Sequence, residues 1–387
     1  MPLSMAMASI GTESAFDVMA RAAVLKREGR DIIDLSIGQS DFRTPENVVE
    51  AGVKALRDGK HYYTPTVGIP ELREAVAHDI LARKNVEVSP ENVVIVPGGK
   101  VTMFFAIQMF SEPGAEILYP NPGFPIYESL INFTGGKAVP IPILEENGFA
   151  FSADTILERL TPQSRLLILN SPANPTGGVS SKEELDKLVA GLEKFPNLHI
   201  LSDEIYSRML YDGYEHISPL QYASIRERTI VLDGWSKTYS MGGWRLGYGL
   251  WPKHLVEHAA RLAINTHSCV SSVAQYAGIE ALLGPQDEVE RAMRAFAERR
   301  EVVVSGLNEI DGIHCHHPLG AFYAFANVKN LGQECRVIQK RILEEGGVAT
   351  VPGTSFGSFG EGYIRLSYAN SFENIREAVK RIAMVVA

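Results

Sequence analysis

From Asn92 to Leu232 short apolar runs alternate with segments of helical spacing. Strand signals fall at 92–96, 115–119, 138–141, 165–169, 198–202 and 229–232. Between them, helical patterns follow Lys100, cover 126–134 and 153–160, and restart at Ser181, with Glu184 three residues on as a capping pair. Strands separated by helices cannot fold back as hairpins. Each must cross over, so this stretch is expected to form an α/β unit whose sheet is largely parallel and flanked by helices. In such sheets ligands bind beyond the carboxyl ends of the strands. Gly98-Gly99, Asn174, Asp203 and Lys237 all fall just after strand signals, so one cleft is expected to collect them.

The flanking segments read differently. Residues 1–10 lack periodicity and are expected to form a loose arm. Phe16, Met19, Ala20, Ala23 and Val24 recur at helical spacing over 15–28, Gly29 stops that helix, and 32–37 reads as a strand. Helices are expected from Thr44-Pro45 to Arg57 and over 70–83, separated by the aromatic loop His61-Tyr62-Tyr63-Thr64-Pro65. After a helix-rich region from 253 to 308, short strands are expected within 314–325 and at 348–351 and 363–367, with helices at 335–345 and 371–386. That pattern suits a smaller α+β domain completed by the amino-terminal segment. The expected division is residues 1–45 as arm and part of the small domain, 46–285 as the large domain, and 286–387 as the rest of the small domain.

The charge balance, 37 basic against 46 acidic residues for a net −9, offers no footprint for nucleic acid or an anionic membrane. No apolar run approaches the roughly 18 to 20 residues a membrane span requires. The first basic residue is Arg21, unlike a secretory signal, and Cys269, Cys315 and Cys335 are too few and scattered for a disulfide framework. The expected location is the cytoplasm.

Several motifs admit both a chemical and a plain structural role. The loop Asp233–Gly249 places Lys237 among Gly, Ser and Trp, eight residues before Arg245. It is either an amine nucleophile beside an anion site or a tight turn with a solvated lysine. Pro97-Gly98-Gly99-Lys100 opens a helix and suits a phosphate cup or a simple turn; it is no Walker loop, since Val94 and Val101 stand where that motif needs Gly and Ser or Thr. Asp203 and Tyr206 are either strand-end fixtures or the two sides of an aromatic-ring site. Tyr63 and Phe124 suit packing equally well, and Arg365 suits either a carboxylate or a surface ion pair. His314-Cys315-His316-His317 would put His314 and His316 on one strand face, but no matching pair of ligands occurs elsewhere, so no metal is expected.

Taken together, the ordered motifs resemble the class I and II aminotransferases, pyridoxal-phosphate enzymes of fold type I. The resemblance spans nearly the whole chain: Asp34–Phe42, Tyr63–Arg73, Asn170–Gly177, Asp203–Tyr206, Ser236–Gly247, Pro318–Tyr323, Pro352–Gly357 and Arg365–Ala369. It implies that Lys237 bonds covalently to the cofactor aldehyde and later serves as the base, that Asp203 pairs with the pyridine nitrogen, and that Tyr206 and Asn174 bond the phenolic oxygen. It implies Phe124 on the ring face, and Gly99, Lys100, Ser236 and Arg245 around the phosphate. Tyr63 would reach the phosphate of a neighbouring subunit, which implies a homodimer with shared sites. Arg365 and Asn174, with Gly38 nearby, would take the α-carboxylate of an amino acid or 2-oxo acid. Lys100 beside the cup suits an acidic side chain, hence aspartate or glutamate with 2-oxoglutarate. The same scaffold also serves lyases and condensing enzymes, and a cofactor-binding sensor is a further alternative. The chain departs from the pattern at Gly234, where many relatives have Ser or Thr, and at Gln39-Ser40, where Glu-Pro is usual.

Overall fold

Among the described residues the strands are β1 (Ile33–Asp34), β2 (Val93–Val96), β3 (Glu116–Asn121), β4 (Lys137–Pro142), β5 (Ser164–Asn170), β6 (His199–Asp203) and β7 (Thr229–Gly234), then β8 (Gly247–Leu250), β9 (His314–Cys315), β10 (Tyr323–Asn327), β11 (Val348–Ala349), β12 (Val351–Pro352) and β13 (Tyr363–Ser367). They come from a computed structural model that describes residues 3–11 and 14–386. What the sequence leads one to expect at residues 1, 2, 12, 13 and 387 lies outside that description.

Seven strands build the main sheet in the order β2-β8-β7-β6-β5-β3-β4. Pairs β3–β4, β3–β5, β5–β6 and β6–β7 are parallel, as the alternation predicts. Both faces are covered, which explains why the strands read as unbroken apolar runs rather than alternating ones. In β2, Val93 and Ile95 enter the core on one face and Val94 and Val96 the core on the other, all with no exposure. Each such burial is worth about 1.5–3 kcal/mol.

β8 was not foreseen. Gly-Tyr-Gly-Leu carries too few β-branched residues to announce a strand, yet it inserts antiparallel between β7 and β2. The result is a mixed sheet, mostly parallel. Gly234 pairs with Gly247 across β7 and β8, and a Cβ on Gly234 would lie 2.9 Å from Gly247 Cα and 3.1 Å from Leu246 O. A Ser or Thr at 234 would collide with backbone, so the departure at this position has a steric cause.

The second unit packs the four-stranded sheet β12-β13-β10-β9 and the parallel pair β1–β11 against helices Asp287–Asn308, Cys335–Glu344 and Phe372–Val386. Phe296, Val303, Phe322, Ile338, Leu366 and Ile382 share its core. The amino-terminal segment joins this unit through β1.

Three expectations need correction. The strand expected over 32–37 pairs only at Ile33–Asp34, because the Asp34 carboxylate captures the backbone N–H and hydroxyl of Ser36 and turns the chain toward the sheet ends. The helix Ser14–Arg27 forms, but its core-facing stripe is the buried Ala22 and Leu25 with the partly buried Val18, whereas Phe16 and Met19 are exposed. β9 covers only His314–Cys315, so His316 lies past the strand and shares no strand face with His314. Instead His314 Nδ1 meets Glu145 at 2.9 Å, His317 Nε2 meets Glu301 at 2.8 Å, and the His316 ring packs edge-on to Phe149. Among the described residues no helix is long and apolar enough to cross a membrane.

Candidate active site

The carboxyl ends of β5, β6 and β7 open on one cleft of about 410 Å³, within the range of small-molecule sites. Gly38, Gly99, Lys100, Phe124, Asn174, Asp203, Tyr206, Ser236, Lys237, Arg245 and Arg365 all line it. Tyr63 does not: it is 92% exposed on the surface of this single chain.

Asp203 is the last residue of β6 and its carboxylate is buried. Tyr127 donates its hydroxyl to Asp203 Oδ2 at 2.7 Å, and the Ile205 N–H approaches Oδ1 at 3.3 Å. Burial pushes the Asp203 carboxyl up to about 6, and these two donors oppose that rise by favouring the charged form. Tyr127 also meets the Phe124 ring edge-on, with centroids 5.7 Å apart, so it braces two cleft residues at once.

Asn170, the Cα partner of Asp203 in the sheet, bonds the Asp203 carbonyl through its Nδ2 at 3.1 Å and accepts the Asn174 N–H on Oδ1 at 3.0 Å. That fixes the loop after β5. Asn174 Oδ1 then accepts Arg365 Nη1 at 2.9 Å.

Arg365, from the middle of β13, is only 4% exposed. A buried guanidinium costs several kcal/mol unless its surroundings replace water. Here the rings of Tyr323 and Phe356 lie 4.5 and 4.7 Å from its Cζ, and Nη2 donates to the Ser36 carbonyl. The turn that ends β1 early therefore supplies a ligand to the site.

Lys237 Nζ donates to the Gly38 carbonyl at 2.6 Å and stands 5.9 and 5.8 Å from the ring centroids of Tyr206 and Phe322. At the rim, the helix Lys100–Phe110 starts beside the cleft, and Arg245 donates to the Gly242 carbonyl at 2.8 Å. Lys100 Nζ sits over the Phe124 ring, 5.2 Å from its centroid.

A sequence model of the aminotransferases of class I and II matches residues 30–382. The chain belongs to that family. It is 38% identical over 372 residues to the aspartate/prephenate aminotransferase of Thermus thermophilus, covering 95% of this chain and 94% of that one. It is 38% identical over 354 residues to the aspartate aminotransferase of Pyrococcus horikoshii, covering 91% and 90%. The solved structure of the Thermus thermophilus aspartate aminotransferase with maleate superposes with a TM-score of 0.95 at 36% identity, covering 100% of both chains.

Aminotransferases of this family use pyridoxal phosphate, and the cleft of this aminotransferase fits such a group. A buried carboxylate stands at the strand ends for a ring cation, an aromatic face is supplied by Phe124, and a helix start with Ser236 and Arg245 is available for a phosphate. Sequence reasoning missed four contributors: Tyr127, Asn170, Tyr323 and the Ser36 carbonyl. Tyr127, one helical turn beyond Phe124, was the most findable; a carbonyl exposed by a turn leaves no signal in residue type.

Proposed function

We propose that this aminotransferase holds pyridoxal phosphate through Lys237, Asp203, Tyr206, Asn174 and Phe124, with Gly99, Lys100, Ser236 and Arg245 at the phosphate, and moves an amino group from aspartate or glutamate to a 2-oxo acid. The observation that carries this reading is the convergence of a lysine amine, a buried carboxylate and a buried arginine in one cleft. When bound, the cofactor supplies the aldehyde that takes up the amino group and a ring that absorbs the electron pair left when Cα–H breaks.

The protein's own part is positioning and proton transfer. Arg365 and Asn174 take the α-carboxylate, which fixes the direction of the Cα–H bond. Lys237 Nζ is the base that removes the Cα proton, and the Gly38 carbonyl at 2.6 Å keeps that amine on the cleft side. The ionised Asp203 carboxylate favours a protonated ring nitrogen, and its Tyr127 hydrogen bond supports that charge state. Ser236, Arg245 and the amides at Gly99 and Lys100 hold the phosphate by charge and hydrogen bonds.

The acidic donor rests on Lys100, a cation lining the same cleft, and on the aspartate aminotransferases among the relatives. The exposed Tyr63 supports a homodimer in which it reaches the partner's phosphate, and three unpaired cysteines suit the cytoplasm. A panel of amino donors with 2-oxoglutarate and oxaloacetate as acceptors tests the reading. Aspartate and glutamate should exceed alanine and phenylalanine in kcat/KM by about tenfold or more, and Lys100→Met should remove that margin, since a charge-assisted contact is worth about 1.5–3 kcal/mol. A preference for apolar donors in the native enzyme contradicts the substrate assignment.

A further inference from the structure

Tyr323 opens β10 and is 1% exposed, yet it touches three separate parts of the cleft. Its hydroxyl lies 2.7 Å from the hydroxyl of Tyr206, and the two rings meet edge-on at 5.8 Å. Its ring lies 4.5 Å from Arg365 Cζ. It also crowds Gly38: a Cβ there would fall 1.9 Å from the Tyr323 hydroxyl oxygen, so only glycine fits beside it. Gly38 is the residue whose carbonyl receives Lys237 Nζ.

Two phenols at hydrogen-bond distance share one contact but carry two protons. One hydroxyl must donate to the other, and the acceptor keeps its own proton for a different partner. If Tyr206 donated to Tyr323, its proton would be spent inside the protein. If Tyr323 donates, the Tyr206 proton is left to point into the cleft. Each ring has a cation near it, but the Arg365 guanidinium lies 4.5 Å from the Tyr323 ring whereas Lys237 Nζ lies 5.9 Å from the Tyr206 ring, and the closer cation makes Tyr323 the stronger donor, which favours the second arrangement.

We propose that Tyr323 is a positioning residue: its hydroxyl donates to Tyr206, turning the Tyr206 proton toward the cofactor's phenolic oxygen, while its ring holds Arg365 in the plane that receives the substrate carboxylate. This rests on the reading of the cleft as the pyridoxal-phosphate site. Tyr323 thus links the residue that receives the carboxylate to the residue that tunes the cofactor. A donor into Tyr206 also strengthens the bond Tyr206 gives onward, since hydrogen bonds in a chain polarise one another.

The test is a double-mutant cycle on the cofactor-loaded enzyme with Tyr323→Phe, Tyr206→Phe and both together, read by the pH midpoint of the bound cofactor's visible absorbance. Phenylalanine keeps the ring against Arg365 and removes only the hydroxyl. Tyr206→Phe should move the midpoint up in pH by about one unit or more, and Tyr323→Phe should move it in the same direction by less. The double variant should match Tyr206→Phe alone, because Tyr323 acts through Tyr206. In Tyr323→Phe, kcat should fall severalfold while KM for the amino donor stays within about twofold. An unmoved midpoint in Tyr323→Phe, or shifts that add in the double variant, overturns the proposal while leaving the site reading intact. An unmoved midpoint in Tyr206→Phe overturns the reading of the cleft itself, and the proposal with it.

Discussion

The floor and the rim of the cleft are built by different means. On the floor, Asp203, Asn174 and Arg365 are buried and each is held by partners within the same chain: Tyr127, Asn170, Tyr323 and Phe356. At the rim, Arg245 is exposed and bonds backbone carbonyls, and Tyr63 lies on the surface outside the cleft altogether. A floor fixed by packing can orient reacting atoms before substrate arrives, which is what lowers a barrier. A rim of exposed groups contributes attraction for a charged ligand instead. Substitutions on the floor should therefore alter turnover or produce losses that depend on pH, and substitutions at the rim should weaken cofactor retention without changing turnover.

The largest effect is expected at Arg365. Arg365→Leu should lower kcat/KM for amino acids by about 10²-fold or more, because truncating a buried charge contact costs about 2–5 kcal/mol. Cofactor absorbance should survive. If steady-state kinetics with the preferred donor were unchanged, the floor would lose its carboxylate receptor.

Tyr127→Phe should come next, and its sign follows from Asp203. The Tyr127 hydrogen bond favours the carboxylate, opposing the burial that pushes Asp203 up to about 6. Without it the carboxyl titrates at still higher pH, so it is neutral over more of the range near neutrality. Cofactor affinity, measured by titrating the apoprotein, should weaken by about tenfold near pH 6–7 and recover toward pH 8. A uniform loss at every pH would mean that Tyr127 only packs.

The smallest effect belongs to the rim. Tyr63→Phe should weaken cofactor binding by about threefold to tenfold, the worth of one hydrogen bond, with kcat within about twofold. That loss should appear only in the associated protein. Equal affinity in variant and native enzyme removes Tyr63 from the site and erases the contrast.

The contrast also explains what could be read from sequence. The main sheet was legible because crossover helices force parallel strands, and each strand end then delivers its next residue to the same edge. Asn174, Asp203 and Lys237 follow from that rule without any knowledge of contacts. β8 was not legible, since its role is to let glycine backbones approach, and Gly247 and Gly249 carry no apolar pattern. The true face of the helix Ser14–Arg27 was hidden for another reason: Phe16 is apolar but lines the cleft instead of the core. The supporting floor residues were the hardest. Tyr127, Tyr323 and Asn170 are set by distances between elements far apart in the chain, which residue order does not disclose.

The central claim is that Lys237 is the covalent seat of the cofactor, and borohydride reduction tests it most directly. The purified protein would be loaded with pyridoxal phosphate, reduced, digested and mapped by mass spectrometry. The pyridoxyl-phosphate mass should appear on the peptide containing Lys237 and be lost in Lys237→Ala, with Lys100 unlabelled. Label on Lys100 or another lysine in the native protein, or no label at all, would contradict the account.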